Sequence, residues 1–201
     1  MGIALFWAGR GGAEEAWREA RDAEPDTPYA VRASGLLHRQ FAPGLPVFVS
    51  ARPFPPELQA LPPREQLERL RAAAEADGAS LDEIVHYGIS LQRLGRPVSA
   101  RRVYARAAAR FPGEPEALVA DAVGRFQKER PEAAFSRLGP LARRFPEAAI
   151  VRFHLGLLLL WGRDVDGARE QLRAAQRAEP GSPLAAEAAR YLEELAQVGT
   201  G

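Results

Sequence analysis

Histidine is the side chain best suited to acid–base or metal chemistry near neutral pH, and this chain has three, at His38, His86 and His154. His86 and His154 stand 68 residues apart, in equivalent places of a 34-residue pattern described below. In stacked helix pairs that spacing puts them on the order of 20 Å apart, too far to share a metal. There is no cysteine, which removes thiolate zinc sites, disulfides and thiol nucleophiles. The acidic pairs Glu14-Glu15 and Glu193-Glu194 read as solvated helix faces. The GRGG at residues 9–12 reads as a turn between helices, without the context of a phosphate loop. No Ser-His-Asp pattern has a useful spacing. The expectation is a protein that is not an enzyme, with no cofactor and no metal, whose histidines are ordinary side chains on a helix wall.

The elements that carry these residues must therefore be read for binding. The run FHLGLLLLW, Phe153 to Trp161, is bounded by Arg152 and Arg163 with ten residues between them. A spanning helix needs about 18–20 apolar residues, so the run is too short to cross a membrane. The opening MGIALFWAGR has a short apolar run and no basic leader, unlike a signal peptide. A soluble, cytoplasmic segment is expected. The 46% hydrophobic and 26% charged shares fit a packed domain. Net charge is +1, but residues 101–163 hold 12 Arg/Lys against 6 Asp/Glu, and residues 164–201 hold 4 against 7. The basic middle reads first as a solvated face and secondly as a surface that steers an acidic partner. Lysine occurs once, at Lys128, against 26 arginines, which reads as the codon bias of a GC-rich bacterial genome.

Pro112, Pro146 and Pro180 are spaced 34 and 34 apart. Ahead of them recur Gly88, Ala100, Tyr104 and Ala107, then Ala122, Ala134, Leu138 and Leu141, then Gly156, Ala168, Leu172 and Ala175. Two antiparallel helices of about a dozen residues approach closely only where small residues meet. A large apolar residue four positions on fills the gap, and the proline ends the second helix.

The unit Tyr87-Gly88, Leu91, Gly95, Ala100, Tyr104, Ala107, Pro112 resembles the tetratricopeptide repeat family. Leu155-Gly156, Leu159, Ala168, Leu172, Ala175, Pro180 resembles it again. The resemblance implies an all-α, right-handed superhelix of stacked antiparallel helix pairs, here with one Pro-rich insertion. The middle unit is degenerate, with Asp121 and Arg125 in usually apolar slots. Its Gly139-Pro140 predicts a kinked or late-starting second helix. Upstream, Ala13, Trp17, Ala20 and Pro25 keep the same steps. A helix over Pro28–Arg39 with Gly35 in its close-contact slot would pair with residues 64–78, where Leu70, Ala73 and Gly78 take the later slots. The organisation expected is degenerate amino-terminal helices over 1–39, an insertion over 40–63, repeats over 64–182 and a capping helix over 183–197. Gly2 in a close-contact slot suggests a truncated first repeat and a longer parent with further repeats upstream, the alternative being a native, shortened half-repeat.

The insertion FAPGLPVFVSARPFPPELQALPP, residues 41–63, has seven prolines, which disfavour helix and favour extended chain. Its many apolar residues argue that it packs on something. It could lie along the stack and cover exposed core, the favoured reading. It could fill the concave groove as a mimic of a ligand, or be an arm that orders on a partner.

The family uses the inner surface of its first helices to hold a peptide or a helix. The resemblance places Val85, Ile89, Val119, Val123, Phe153, Leu157 and Leu160 toward that groove, with His86, His154 and Gln92 among them. The basic residues with which some members clamp a terminal carboxylate are absent from these slots. The function expected is a non-catalytic protein–protein interaction module that binds a partner helix or apolar peptide, with Phe153 as the first anchor. The alternative is a structural, self-associating domain whose groove is covered by its own insertion. Nucleic-acid binding would need a stronger basic stripe.

Overall fold

In a computed structural model of the protein, the described residues are 11–23, 33, 37, 47–127 and 130–199. Ten helices run through them: α1 (Ala13–Ala23), α2 (Pro56–Gln59), α3 (Pro63–Glu75), α4 (Leu81–Arg93), α5 (Pro97–Arg110), α6 (Pro115–Gly124), α7 (Glu132–Arg144), α8 (Ala149–Trp161), α9 (Val165–Ala178) and α10 (Pro183–Gly199). No strand occurs among the described residues. None of these helices is long and apolar enough to cross a membrane.

The helices pack in pairs, α4 with α5, α6 with α7 and α8 with α9. The first helices start at residues 81, 115 and 149, and the second end at 110, 144 and 178, so the 34-residue period of the sequence is also the period of the backbone. The closing helix α10 starts at 183, one more period on, and packs against both α8 and α9. The first helices also touch one another in order, α4 to α6, α6 to α8 and α8 to α10, forming a continuous face.

Local chemistry sets the ends of these helices. Ser80 and Glu83 form a capping box at the start of α4: the Glu83 amide donates to Ser80 Oγ at 3.3 Å and the Ser80 amide to Glu83 Oε2 at 2.7 Å. Asp164 caps α9 by accepting from the Gly167 amide at 2.9 Å. The turn after α4 places Gly95 at φ +70°, and the same turn after α8 places Arg163 at φ 65°, two periods later. A left-handed backbone costs a residue with a Cβ about 1–2 kcal/mol, part of which glycine's greater freedom in the unfolded chain offsets. Arg163→Gly is therefore expected to stabilise the fold by about 0.5–1 kcal/mol, seen as a higher urea midpoint at unchanged slope.

The small-residue slots act as close contacts. A Cβ at Gly88 would overlap the ring of Tyr104 on α5, and one at Gly156 would lie 3.0 Å from Leu172 Cγ. Tyr104, Leu138 and Leu172, the large residues of the three units, are all fully buried. In the degenerate middle unit the two charges answer each other. Arg125 Nε donates to both Asp121 oxygens at 2.9 and 2.8 Å, with both side chains mostly covered. The helix α7 does not start late, but runs through Pro140 from Glu132 to Arg144. The carbonyl that Pro140 cannot serve belongs to Ser136, which is exposed to solvent.

Upstream, Ala13 and Trp17 of α1 are buried in a small cluster with Ala33 and Leu37. Ala20 is exposed, although Ala107 and Ala175 in the same slot are buried and Leu141 is partly so. The expectations for residues 1–10, for Pro25 and for Gly35 lie outside the described residues. In the insertion, prolines begin helices as well as preventing them. Pro56 and Pro63 open α2 and α3 at the first helical position, where the missing N–H would have had no partner. Among the described residues of the insertion, the chain from 47 to 54 is not helical and bends at Ala51 and Arg52, and these two helices follow it.

Candidate functional site

The extended segment 47–54 lies against the face of the first helices and crosses it from the third repeat back to the first. It is held at three stations. At the α8 end, the Val49 amide donates to His154 Nε2 at 3.0 Å, and Phe48 stacks on the His154 ring at 5.0 Å between centroids. Phe48 also meets the Tyr104 ring at 5.3 Å and is 3% exposed. In the middle, Ser50 Oγ donates to Glu116 Oε1 of α6, and Arg52 Nε to Glu116 Oε2 at 3.1 Å. Arg52 Nη1 reaches Asp82 of α4 at 2.7 Å, so one guanidinium bridges two consecutive repeats. At the α4 end, the Phe54 ring packs on His86 at 4.7 Å with the Arg93 guanidinium 4.9 Å above it. We call the segment the strap.

A backbone amide can only donate, so His154 Nε2 must carry a lone pair. Its proton then sits on Nδ1, which donates to the Ile150 carbonyl at 2.8 Å. Burial pushes the imidazole down to about 4, against the pull of that carbonyl. Burial also lowers His86, opposed by Asp82, the Arg52 carbonyl and Glu116. The His86 Nε2 atom is buried with no hydrogen-bond partner among the described residues. Burial works against the Arg52 charge as well, but Asp82 and Glu116 outweigh it and hold its pKa above the ordinary value.

The seven residues assigned to the groove are all buried. Val85, Val119, Val123, Leu157 and Leu160 are 0–2% exposed, Ile89 is 7% and Phe153 is 0%. Phe153 meets His154 edge-on and packs against Tyr191 of the closing helix at 5.9 Å. The strap is gripped by His86, His154, Asp82, Glu116 and Tyr104. The two histidines stand on the wall where the repeat pattern put them, and Gln92 instead accepts the Tyr104 hydroxyl at 2.7 Å. No group of three or more His, Asp or Glu residues with metal-binding geometry occurs among the described residues.

Asp82 and Glu116 were not singled out by sequence reasoning, because an acidic residue in the first turn of a helix is commonplace. A signal was present nonetheless. The two carboxylates are 34 residues apart, one period, and each stands four residues before the slot that holds His86, Ala120 and His154 in turn. The wall of first helices offers these carboxylates to Arg52 of the strap.

No family model matches this chain, and neither does any curated protein. A solved structure described as MamA AMB-1 P212121 is 19% identical over 86% of this chain and 82% of its own, with a TM-score of 0.42. The reading below rests on this chain's own residues.

Proposed function

We propose that this chain is a non-catalytic recognition module of the tetratricopeptide-like superhelical kind, which holds an extended peptide along its first helices. Residues 47–54 are its resident ligand, and a partner segment binds by displacing them. The observation that supports the reading is how the strap is held. Its main chain donates to a side chain of the wall, its two rings enter separate aromatic sites, and its arginine spans two repeats. This is how a docked peptide is bound, with a main-chain contact for affinity and side-chain sites for selection.

The competing reading is a permanent cover over a structural domain. It is favoured by the fact that Phe48 and Phe54 belong to one continuous core with the helices. The two are separated by replacing both anchors, Phe48→Ala and Phe54→Ala, in the full chain. Burying each ring contributes about 1.5–3 kcal/mol, so the variant should melt lower yet keep its helical circular dichroism. The synthetic peptide of residues 47–56, VFVSARPFPP, should then bind the variant in trans and bind the parent far more weakly, because the tethered strap competes at millimolar effective concentration. A helical variant that binds no peptide at 1 mM would establish the cover.

A further inference from the structure

The geometry points to a selective site: the carboxylates of Asp82 and Glu116 form an arginine receptor, so the partner segment carries an arginine flanked by aromatic residues four positions before it and two after. This rests on the reading that the strap is a resident ligand. Its occupant is taken to be such a segment of another protein.

The receptor is built from two repeats and cannot exist in one. Asp82 opens α4 and Glu116 opens α6, and the guanidinium between them gives its Nη1 to the first and its Nε to the second. The two bonds diverge from different nitrogens of a planar fork. A lysine ammonium is a single nitrogen and cannot meet both carboxylates in that way. Glu116 has a side chain only 7% exposed, and its partners are Ser50 and Arg52, both from the strap. A segment that covered this point without a cation would bury the carboxylate unpaired, which costs more than losing a polar contact at a surface. Among segments that could cover the face, one that returns a cation to that point is therefore favoured.

The remaining positions follow from the same contacts. Ser50 stands two residues before the arginine. Its hydroxyl donates to Glu116 and accepts from the Arg52 amide at 3.0 Å, which fixes the local turn of the chain. Phe48 and Phe54 fill the sites at His154 and Tyr104 on one side and at His86 and Arg93 on the other. The ligand pattern is aromatic, any, Ser or Thr, any, Arg, any, aromatic. The charge preference is for a cation, opposite to that of a repeat surface that clamps a terminal carboxylate.

The test uses the full chain carrying Phe48→Ala and Arg52→Ala, which weakens its own strap and leaves the wall intact. A fluorescein-labelled peptide VFVSARPFPP is titrated by anisotropy. Changing its arginine to alanine should weaken binding about 30-fold, and changing it to lysine about 10-fold. Adding Asp82→Asn and Glu116→Gln to the chain should bring the arginine and alanine peptides within about threefold of each other. If the arginine and alanine peptides bind alike to the unaltered wall, the receptor is wrong while peptide recognition stands. If no peptide binds a helical variant, both fall. If the variant proves unstable, the parent chain with Arg52→Ala alone supports the same titration at higher peptide concentration. A mass of twice the monomer for the parent, lost on Arg52→Ala, would instead make a second copy's strap the occupant and overturn the proposal.

Discussion

Between pH 7 and pH 4 the chain should lose about 3 kcal/mol of stability that a His154→Gln variant keeps. The folded protein holds His154 near 4 while an exposed imidazole titrates near 6.5. Above pH 6.5 both states are neutral and the contribution is fully present. As the pH falls from 6.5 toward 4, the unfolded chain takes a proton that the folded chain refuses, so stability falls with it. A separation of about 2.5 units corresponds to about 3 kcal/mol. Below 4 the folded protein is protonated as well and the loss stops growing. Glutamine can accept from the Val49 amide and donate to the Ile150 carbonyl without titrating. The measurement is the urea midpoint of both proteins at half-unit steps of pH. Carboxylates titrate in the same range and affect the two proteins equally, so the difference between the curves reports His154. Parallel curves would mean that His154 titrates in the native state as an exposed imidazole does. The proton must enter at Nε2, the atom that holds the strap, so strap amides should gain solvent exchange in acid before the helices do.

The second large effect concerns the contact between paired helices. Gly88→Ala is expected to destabilise the chain by about 1–3 kcal/mol. The added methyl overlaps the Tyr104 ring, which is fully buried, bonded through its hydroxyl to Gln92 at 2.7 Å and bounded on the far side by Gly124 and Phe48. Overpacking of this kind costs about 1–3 kcal/mol and the strained hydroxyl bond about 1 more, of which alanine's better helix propensity returns about 1. Gly156→Ala is the control. Its nearest neighbour is the Leu172 side chain at 3.0 Å, a flexible group, and the net change should stay within about 1 kcal/mol. Urea denaturation of both variants checks the pair. Equal effects would show that the size of the facing residue does not govern these slots. Displacing Tyr104 also disturbs the seat of Phe48, so Gly88→Ala should loosen the strap as well.

The helix pairs were legible because their causes are local or act between neighbours. Gly88, Ala100 and Tyr104, with their counterparts Gly156, Ala168 and Leu172, are steric requirements of two helices joined by a short turn, and they recur every 34 residues. The helix α2 was missed for an equally local reason. A proline forbids the inside of a helix and suits its first position, and composition does not say which applies at Pro56 or Pro63. The groove residues were legible as apolar positions on the first helices. Their depth was not, because Phe153 is covered by Tyr191 of α10 from beyond its own repeat.

What this sequence determined by itself is the period, the order of the helices and the small residues on which they meet. Those follow from hydrogen-bond ladders, prolines and side-chain volumes within a few dozen residues. Only the tertiary structure decided what lies on the shared face, and with it the meaning of Asp82 and Glu116. The contacts that decide it join Ser50 to Glu116 across 66 residues and Val49 to His154 across 105. No periodicity announces such a pairing, because an extended segment fits a wall by the sum of one amide, two rings and one guanidinium, each unremarkable until all four are in place.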